Sequence, residues 1–280
     1  MVRRLELLGE GLSHSLSPSL WREIFAATDA DFEYGLRDVP AQGLPAALAA
    51  LRSGAIHLFN VTMPYKSWAC GAAEIRPSEV TGSQVANTLW MDGGRIASAN
   101  TDVLAARLLL GELPGRCDSA LVLGAGSTGR SLATAARGRA GKVFVTNRSA
   151  DRLAELARDL PGIIPVPWVD RQDTAEEMDL IINTTPSGLR DAVSPLSHLR
   201  PCGPARTRYF YDLIYTDSLT PLQRQAAEAG MRMVDGLAHL EAHARAMIPM
   251  LGLSMSRETL RSKVKAAAGR APRSWDVVLT

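Results

Sequence analysis

Six residues constrain this chain more than any others: Gly124-Ala125-Gly126-Ser127-Thr128-Gly129. They fit the pattern G-x-G-x-x-G and lie where that pattern has a physical meaning, after the apolar run Ala120 to Leu123 and before a helical stretch reaching about Arg137. Glycines there permit a tight turn, let the backbone approach a pyrophosphate and let helix and strand pack closely, while amides at the helix N-terminus face the anion. Gly-rich turns also occur without a ligand, so the surroundings matter. Beyond the turn, β-rich and helical segments alternate: strands Lys142 to Thr146, Ile163 to Val166, Leu180 to Asn183, Tyr209 to Leu213 and Met231 to Val234, with helices Ala150 to Leu160 and Pro221 to Ala229 and a long alanine-rich helix from Gly236. This is the pattern of an α/β block with a dinucleotide turn.

The second strand of the block selects the dinucleotide. An NAD site usually places Asp or Glu about 20 residues beyond the turn, on the ribose 2′-hydroxyl. Here the strand ends in Asn147-Arg148-Ser149, with Arg152 one helical turn further. A cation flanked by two neutral hydrogen-bonding side chains suits a 2′-phosphate, which an acid would repel. Taken singly, Arg148 and Arg152 read as solvated residues around a helix start; joined to the glycine turn they point to NADP.

The first hundred residues form a separate block. Leu5 to Gly9, Phe32 to Val39 and Ile56 to Thr62 read as strands, Pro18 to Thr28 and Gly43 to Arg52 as helices, and Pro64 to Cys70 as the opening of another helix. Ala86 to Met91 and Arg95 to Ser98 flank Asp92-Gly93-Gly94, a hairpin signal, and a helix from Leu104 to Leu110 leads away. Pro18 suits the first helical position with Ser17 as N-cap; Ser15 has no such structural excuse, and the two hydroxyls together suit a carboxylate. Asn60-Val61-Thr62 closes a strand just before Lys66, and Asn87-Thr88 and Asn100-Thr101-Asp102 set amides and one carboxylate at strand ends, where α/β ligands bind.

These residues, in this order, resemble the shikimate dehydrogenase family. The resemblance also covers Asn183-Thr184-Thr185 with Gly188, Tyr211-Asp212 with Tyr215, Thr220-Pro221-Leu222 and Asp235-Gly236, and runs from about Gly9 to about Gly236. It implies a two-domain α/β protein: a substrate domain from 1–103 and 236–280, with the last helices packing back on it, and a Rossmann-type NADP-binding domain from 104–235. It implies reversible hydride transfer between NADP(H) and the C3 position of shikimate and 3-dehydroshikimate. Ser15, Ser17 and Tyr215 would hold the substrate carboxylate, Asn60, Thr62 and Asn87 its hydroxyls, and Lys66 and Asp102 would act at the reacting oxygen. Gly124, Gly126, Ser127, Thr128, Gly129, Asn147, Arg148, Ser149, Arg152, Thr185, Leu213, Gly236 and His239 would line the cofactor site. A lysine beside a carboxylate fits this chemistry, because a hydride leaving carbon requires a proton to leave the attached oxygen.

The late helix departs from the family. Members carry Asp-Gly-x-x-Met-Leu-Val-x-Gln-Ala, the methionine lining the nicotinamide pocket and the glutamine bonding a substrate hydroxyl; this chain has His239, Glu241 and His243 at the Met, Val and Gln positions. The order His-x-Glu-x-His is unlike the metalloprotease pattern His-Glu-x-x-His, so no metal site is expected. His243 is either a substrate contact or a tolerated residue of an amphipathic helix. Gln84 stands where the family prefers glycine, and Ser127-Thr128 where it often has Gly-Ala. The changes leave open quinate or an amino-shikimate as substrate, and a non-catalytic metabolite-binding relative as the competing class. Retention of both Lys66 and Asp102 favours the enzyme.

Composition closes off other classes. With 31 basic and 29 acidic residues among 280, the chain lacks the positive excess a nucleic-acid binder needs. No apolar run reaches the roughly 18 residues of a membrane span, and the start MVRRLELLGEG is too short in apolar residues for a secretory signal. A cytoplasmic protein, monomer or homodimer, is expected. Cys70, Cys117 and Cys202 form no Cys-x-x-Cys pair and read as small buried hydrophobes.

Overall fold

A computed structural model describes residues 2–115, 117–203 and 207–271. The final stretch of the expected substrate domain, 272–280, lies outside the described residues. In chain order the elements are β1 (Arg3–Gly9), α1 (Ser17–Thr28), β2 (Phe32–Asp38), α2 (Leu44–Arg52), β3 (Leu58–Val61), α3 (Lys66–Ala72), α4 (Ser78–Ser83), β4 (Thr88–Asp92), β5 (Arg95–Ala99) and α5 (Thr101–Gly111). They continue with β6 (Cys117–Leu123), α6 (Ser127–Ala136), β7 (Ala140–Thr146), α7 (Ala150–Asp159), β8 (Ile163–Val166), α8 (Arg171–Glu177), β9 (Leu180–Asn183), β10 (Tyr209–Asp212), α9 (Pro221–Glu228), β11 (Arg232–Val234), α10 (Gly236–Met247) and α11 (Arg257–Ala268). Two compact units result, Met1–Asp102 with His243–Ala271, and Val103–Ala242.

The first unit is built on a five-stranded sheet in the order β2-β1-β3-β4-β5. β1 runs parallel to β2 and β3, and β4 is antiparallel to β3 and β5. Gly93 and Gly94 join β4 to β5 at φ +55° and +80°, the left-handed pair a two-residue hairpin turn demands. α1 carries Trp21, Ile24 and Phe25 on its buried face; Trp21 stacks on Tyr34 and Phe25 on Phe32, each aromatic burial contributing roughly 1.5–3 kcal/mol. α11 packs against α1, with Lys263 and Glu23 3.5 Å apart.

Several expected element ends shift. α1 begins at Ser17 itself, and its N-cap is Leu16. The capping-like bond comes from Ser15, whose hydroxyl accepts from the Ser17 amide at 3.2 Å, so the structural role expected of Ser17 falls to Ser15. α3 starts at Lys66 rather than Pro64, because the Tyr65 amide is already committed to a turn onto the Thr62 carbonyl at 2.9 Å. β4 starts at Thr88 and α5 at Thr101, which puts the polar motifs at element ends. The short helices α4 and α8 lack a long apolar stripe and escape a periodicity reading.

The second unit holds a six-stranded, all-parallel sheet in the order β11-β10-β9-β6-β7-β8. Both faces are covered, so its central strands are continuously apolar. Ala120, Val122, Ile182 and Tyr211 face a core with residues of α5, α6, α7 and α10, while Leu121, Leu123, Ile181 and Phe210 face another with Ala175, Leu222 and Ala226. The chain leaves β6 at the point where strand order reverses, between β6 and β9, the place where such sheets bind ligands. The division between units falls inside α10 rather than at Gly236, because Ala238 and Ala242 belong to the second unit's core. Cys70 and Cys117 are buried as expected, but Cys202 is only half-buried. Among the described residues no helix is long and apolar enough to cross a membrane.

Candidate active site

In the first unit the register pairs Asn60 with Thr88 and Thr88 with Ala99, so the ends of β3, β4 and β5 lie side by side. The starts of α3 and α5 follow directly, and Lys66 Nζ meets Asp102 Oδ2 at 2.6 Å with both side chains largely enclosed, 12% and 8% exposed. Asp102 stands in the first turn of α5, where the helix dipole favours its negative charge. Asn87 donates from Nδ2 to Asp102 Oδ1 at 3.0 Å and accepts at Oδ1 from the Thr101 amide at 2.7 Å. The network extends through Thr88 to Asn60, which donates from Nδ2 to Thr88 Oγ1 at 3.3 Å and to Met247 Sδ at 3.1 Å and accepts from the Tyr34 hydroxyl at 2.8 Å. Burial raises the Tyr34 phenol, with a bond from Ser17 opposing. Ser17 and Asn60 are thus joined through a tyrosine 17 residues along the chain from one and 26 from the other. Thr62 is half-buried with its methyl beside Gly9, and its hydroxyl stands outside this network.

His243 belongs to the cluster, which overturns the reading of a tolerated helix histidine. Its Nε2 lies 2.6 Å from Thr101 Oγ1 and 3.5 Å from Asn87 Nδ2. The acceptor-only carboxylate of Asp102 and the donor-only amide of Thr101 fix the orientation of the Asn87 amide. Thr101 must then spend its single hydroxyl proton on Asn87 Oδ1, 2.8 Å away. The oxygen of Thr101 therefore accepts from His243, and the imidazole carries a proton on Nε2.

In the second unit the glycine turn has the expected form. Gly124 takes φ +111°, and a Cβ on Gly129 would overlap the Gly124 carbonyl, so neither position admits a side chain without movement. Gly126 caps α6 without a side-chain bond to the helix amides. Asn147 ties the turn to β7, accepting from the Ala125 amide at 3.1 Å and donating to the Ser149 carbonyl at 3.0 Å. Ser149 caps α7, accepting from the Arg152 amide at 3.3 Å. Arg148 and Arg152 are exposed beside it. Thr184 closes the turn from the other side by donating to the Leu123 carbonyl at 2.8 Å, and Thr185 donates to Asn183 Oδ1 at 2.7 Å. Gly236 sits against Leu213, whose carbonyl a Cβ at 236 would overlap. His239 Nδ1 lies 2.5 Å from the Tyr211 hydroxyl. Tyr215 belongs to this unit and Ser15 and Ser17 to the other.

Asp212, at the end of β10, is wholly buried. Its Oδ1 accepts from Asn183 Nδ2 at 3.0 Å and from the Ile214 amide at 3.1 Å, whereas Oδ2 has no hydrogen-bond partner. Burial pushes its carboxyl up to about 7, Asp235 adding to the effect and hydrogen bonds opposing it. Between the ordinary carboxyl range and about 7 the unfolded chain has released a proton that the folded chain keeps, so stability falls as pH rises through that window, by at most about 4 kcal/mol. Melting temperature measured from pH 4 to pH 8 should decline less steeply in Asp212→Asn than in the wild type; parallel curves would assign the titration elsewhere.

Residues 7–89 match the model of the shikimate dehydrogenase substrate-binding domain, and residues 109–212 that of shikimate/quinate 5-dehydrogenase. A shikimate dehydrogenase (NADP(+)) of Aeropyrum pernix is 33% identical over 92% of this chain and 95% of its own length. The chain belongs to the shikimate dehydrogenase family. A relative of the same name from Citrifermentans bemidjiense is 32% identical over 95% of each chain. The crystal structure of the Thermus thermophilus shikimate 5-dehydrogenase in complex with NADP(H) and shikimate superimposes with a TM-score of 0.80, at 29% identity, covering 95% of this chain and all of that one.

Departures from the family pattern have local causes. Gln84, at the family's glycine position, takes φ +56° where it ends α4; a side chain in that left-handed conformation costs about 1 kcal/mol relative to glycine. His239 and His243 are held by different partners in different units, Tyr211 and Thr101. Among the described residues no cluster of His, Cys, Asp and Glu could hold a metal. Sequence reasoning missed Thr101 and Tyr34 as members of the network. Thr101 lay inside a motif already singled out, but Tyr34 carries no signal of its own, since only the pairing of β1 with both β2 and β3 brings it near Asn60.

Proposed function

We propose that this chain catalyses the NADP-dependent, reversible oxidation of shikimate to 3-dehydroshikimate. The observation that carries this reading is the enclosed Lys66–Asp102 pair at 2.6 Å, embedded in amides and hydroxyls suited to a polyhydroxylated ring. A site retired from catalysis has no need of a desolvated ion pair, whose burial costs several kcal/mol per charge before attraction offsets it. The identity with NADP-dependent relatives over nearly the whole chain supports the same conclusion.

The division of labour follows the two units. Residues 1–102 and the segment from within α10 onward form the substrate domain, and 103–242 the dinucleotide domain. Gly124 to Gly129 would receive the pyrophosphate, a fit supported by the cradle that a Cβ at Gly129 would fill. Arg148, with Arg152, would take the 2′-phosphate, Asn147 and Ser149 framing it, while Thr185, Leu213, Gly236 and His239 line the remainder. When bound, NADP supplies the hydride acceptor, and NADPH the donor in the reverse direction. Lys66 and Asp102 act as one unit that takes the proton from the C3 hydroxyl as the carbonyl forms and returns it in reduction. Ser15 and Ser17 hold the carboxylate, and Asn60, Thr62 and Asn87 the ring hydroxyls. The network from Tyr34 to Asp102 keeps Asn60 and Asn87 in single orientations before substrate arrives.

Following NADPH absorbance with shikimate and NADP, and separately with quinate and with NAD, tests the reading. Turnover is expected with shikimate and NADP, and absence of turnover with every alcohol in a folded protein would reject it. His243 is expected to tune the choice of alcohol. Glutamine can still donate to Thr101 but also offers an acceptor on the same amide. His243→Gln should change the shikimate-to-quinate ratio of kcat/KM by roughly 5- to 150-fold, the worth of one polar contact. Superimposable ratios would remove His243 from substrate recognition.

A further inference from the structure

The ladder between β9 and β10 stops at Asn183 and Asp212. The register pairs these two as the last residues of their strands, and the Leu213 amide makes the final rung, onto the Asn183 carbonyl at 3.1 Å. Backbone past the end of a ladder has to find its hydrogen bonds elsewhere. Here two wholly buried side chains supply them. Asn183 Oδ1 accepts from the Thr185 amide at 3.1 Å and from the Thr185 hydroxyl at 2.7 Å, while Asn183 Nδ2 donates to Asp212 Oδ1 at 3.0 Å. The same oxygen of Asp212 accepts from the Ile214 amide at 3.1 Å. The Ile214 carbonyl in turn accepts from the Gly236 amide at 3.2 Å and from Gln223 Nε2 at 3.1 Å. Because Asp212 Oδ2 has no hydrogen-bond partner among the described residues, Oδ1 alone sits at the centre of this chain of bonds. It ties together the turn after β9, the turn after β10 and the start of α10.

Sheet order says which part of a dinucleotide those segments meet. The strands lie in the order β11-β10-β9-β6-β7-β8, with the glycine turn after β6 and Arg148 after β7. A pyrophosphate on the turn and a 2′-phosphate at Arg148 place the adenosine half over the β7 side. The nicotinamide half then extends the other way, across the ends of β9 and β10. Thr185, Leu213 and Gly236 stand there, Gly236 so close to Leu213 that a Cβ would overlap its carbonyl. The glycine turn is held by other bonds, from Asn147 and Thr184, so the two halves of the site have separate supports.

We propose that Asp212 is a positioning residue for the nicotinamide half of the cofactor: it keeps Thr185, Leu213 and Gly236 in place and touches no part of the dinucleotide itself. The proposal rests on the reading that NADP binds the second unit with its 2′-phosphate at Arg148.

Two ligands separate the halves. NADP spans the whole site, whereas adenosine 2′,5′-bisphosphate carries the adenosine and the 2′-phosphate without nicotinamide. Asp212→Ala leaves Asn183 Nδ2 and the Ile214 amide buried without their acceptor. In titration calorimetry it should weaken NADP binding roughly tenfold or more, the worth of a buried hydrogen bond left unmade. NAD shares the nicotinamide half and should weaken by the same factor, while the bisphosphate should bind as it does to the wild type. Asp212→Asn keeps the oxygen that both donors use, and burial pushes this carboxyl up to about 7, so the uncharged amide is a close substitute. It should bind NADP as the wild type does. If Asp212→Ala does not fold, Asn183→Ala cuts the chain of bonds at its next link and should show the same split between NADP and the bisphosphate. Undiminished NADP affinity in the folded variant overturns the proposal. So does equal weakening of NADP and the bisphosphate, which makes Asp212 a general support of the domain, and so does Asp212→Asn binding as weakly as Asp212→Ala. A wild type that binds neither ligand rejects the cofactor reading itself, and the proposal with it.

Discussion

Lys66→Ala is expected to lower kcat by on the order of 10²- to 10⁴-fold, the range of general acid–base catalysis, with affinity for NADP retained. The expectation rests on the 2.6 Å contact between Lys66 Nζ and Asp102 Oδ2 in a nearly enclosed site. Removing the lysine alone leaves a buried carboxylate without that countercharge, and breaking such a pair typically costs about 3–5 kcal/mol of stability. Stability and turnover therefore have to be read together. Lys66→Ala/Asp102→Asn removes both charges and should recover much of the lost melting temperature while recovering none of the activity. Because the two groups act as one unit, the double variant should be no slower than the slower of Lys66→Ala and Asp102→Asn. Losses that multiply would mean independent roles, and Lys66→Ala with normal kcat would leave the pair purely structural.

The second large effect concerns the cofactor. Arg148→Ala should weaken NADP binding by roughly 10- to 150-fold, the worth of a charge-assisted hydrogen bond, and leave NAD binding nearly unchanged. Arg148 stands between Asn147, whose side chain is spent on the glycine turn, and Ser149, whose hydroxyl is spent capping α7. Neither neighbour can replace its charge. Among the described residues Arg148 and Arg152 form no ion pair, so neither has to break a contact with an acid to meet a phosphate. Arg148→Ala/Arg152→Ala should approach equal affinity for the two dinucleotides, and raising salt should narrow the wild-type preference as exposed charges are screened. Equal losses for NADP and NAD on Arg148→Ala would mean that the arginine supports the turn and does not read the phosphate.

Local chemistry made part of this molecule legible before any coordinates. The glycine turn, the Asp92-Gly93-Gly94 hairpin and the short apolar strands depend on neighbours within a few residues, and each forms where expected: left-handed φ at Gly93, Gly94 and Gly124, a fully buried strand at Leu180–Asn183, and a strand at Ile163–Val166 that is buried only at its two ends. Lys66 and Asp102 were legible as candidates because the motifs that hold them, at strand ends, resemble those of the shikimate dehydrogenase family. What the tertiary structure decided was pairing and protonation. Whether Ser17 caps a helix or faces Tyr34, and whether His243 lies idle or meets Thr101 142 residues away in sequence, depends on sheet register and helix placement that no local pattern encodes. Nothing local in the sequence marks Asp212 for an unusual titration; burial in the folded chain, with Asp235 adding to it, pushes its carboxyl up to about 7. The sequence by itself determined which residue types stand at the ends of which elements, since propensity and turn chemistry act over short range. Only the fold determined which of them share protons, since desolvation and hydrogen bonding are properties of the assembled site.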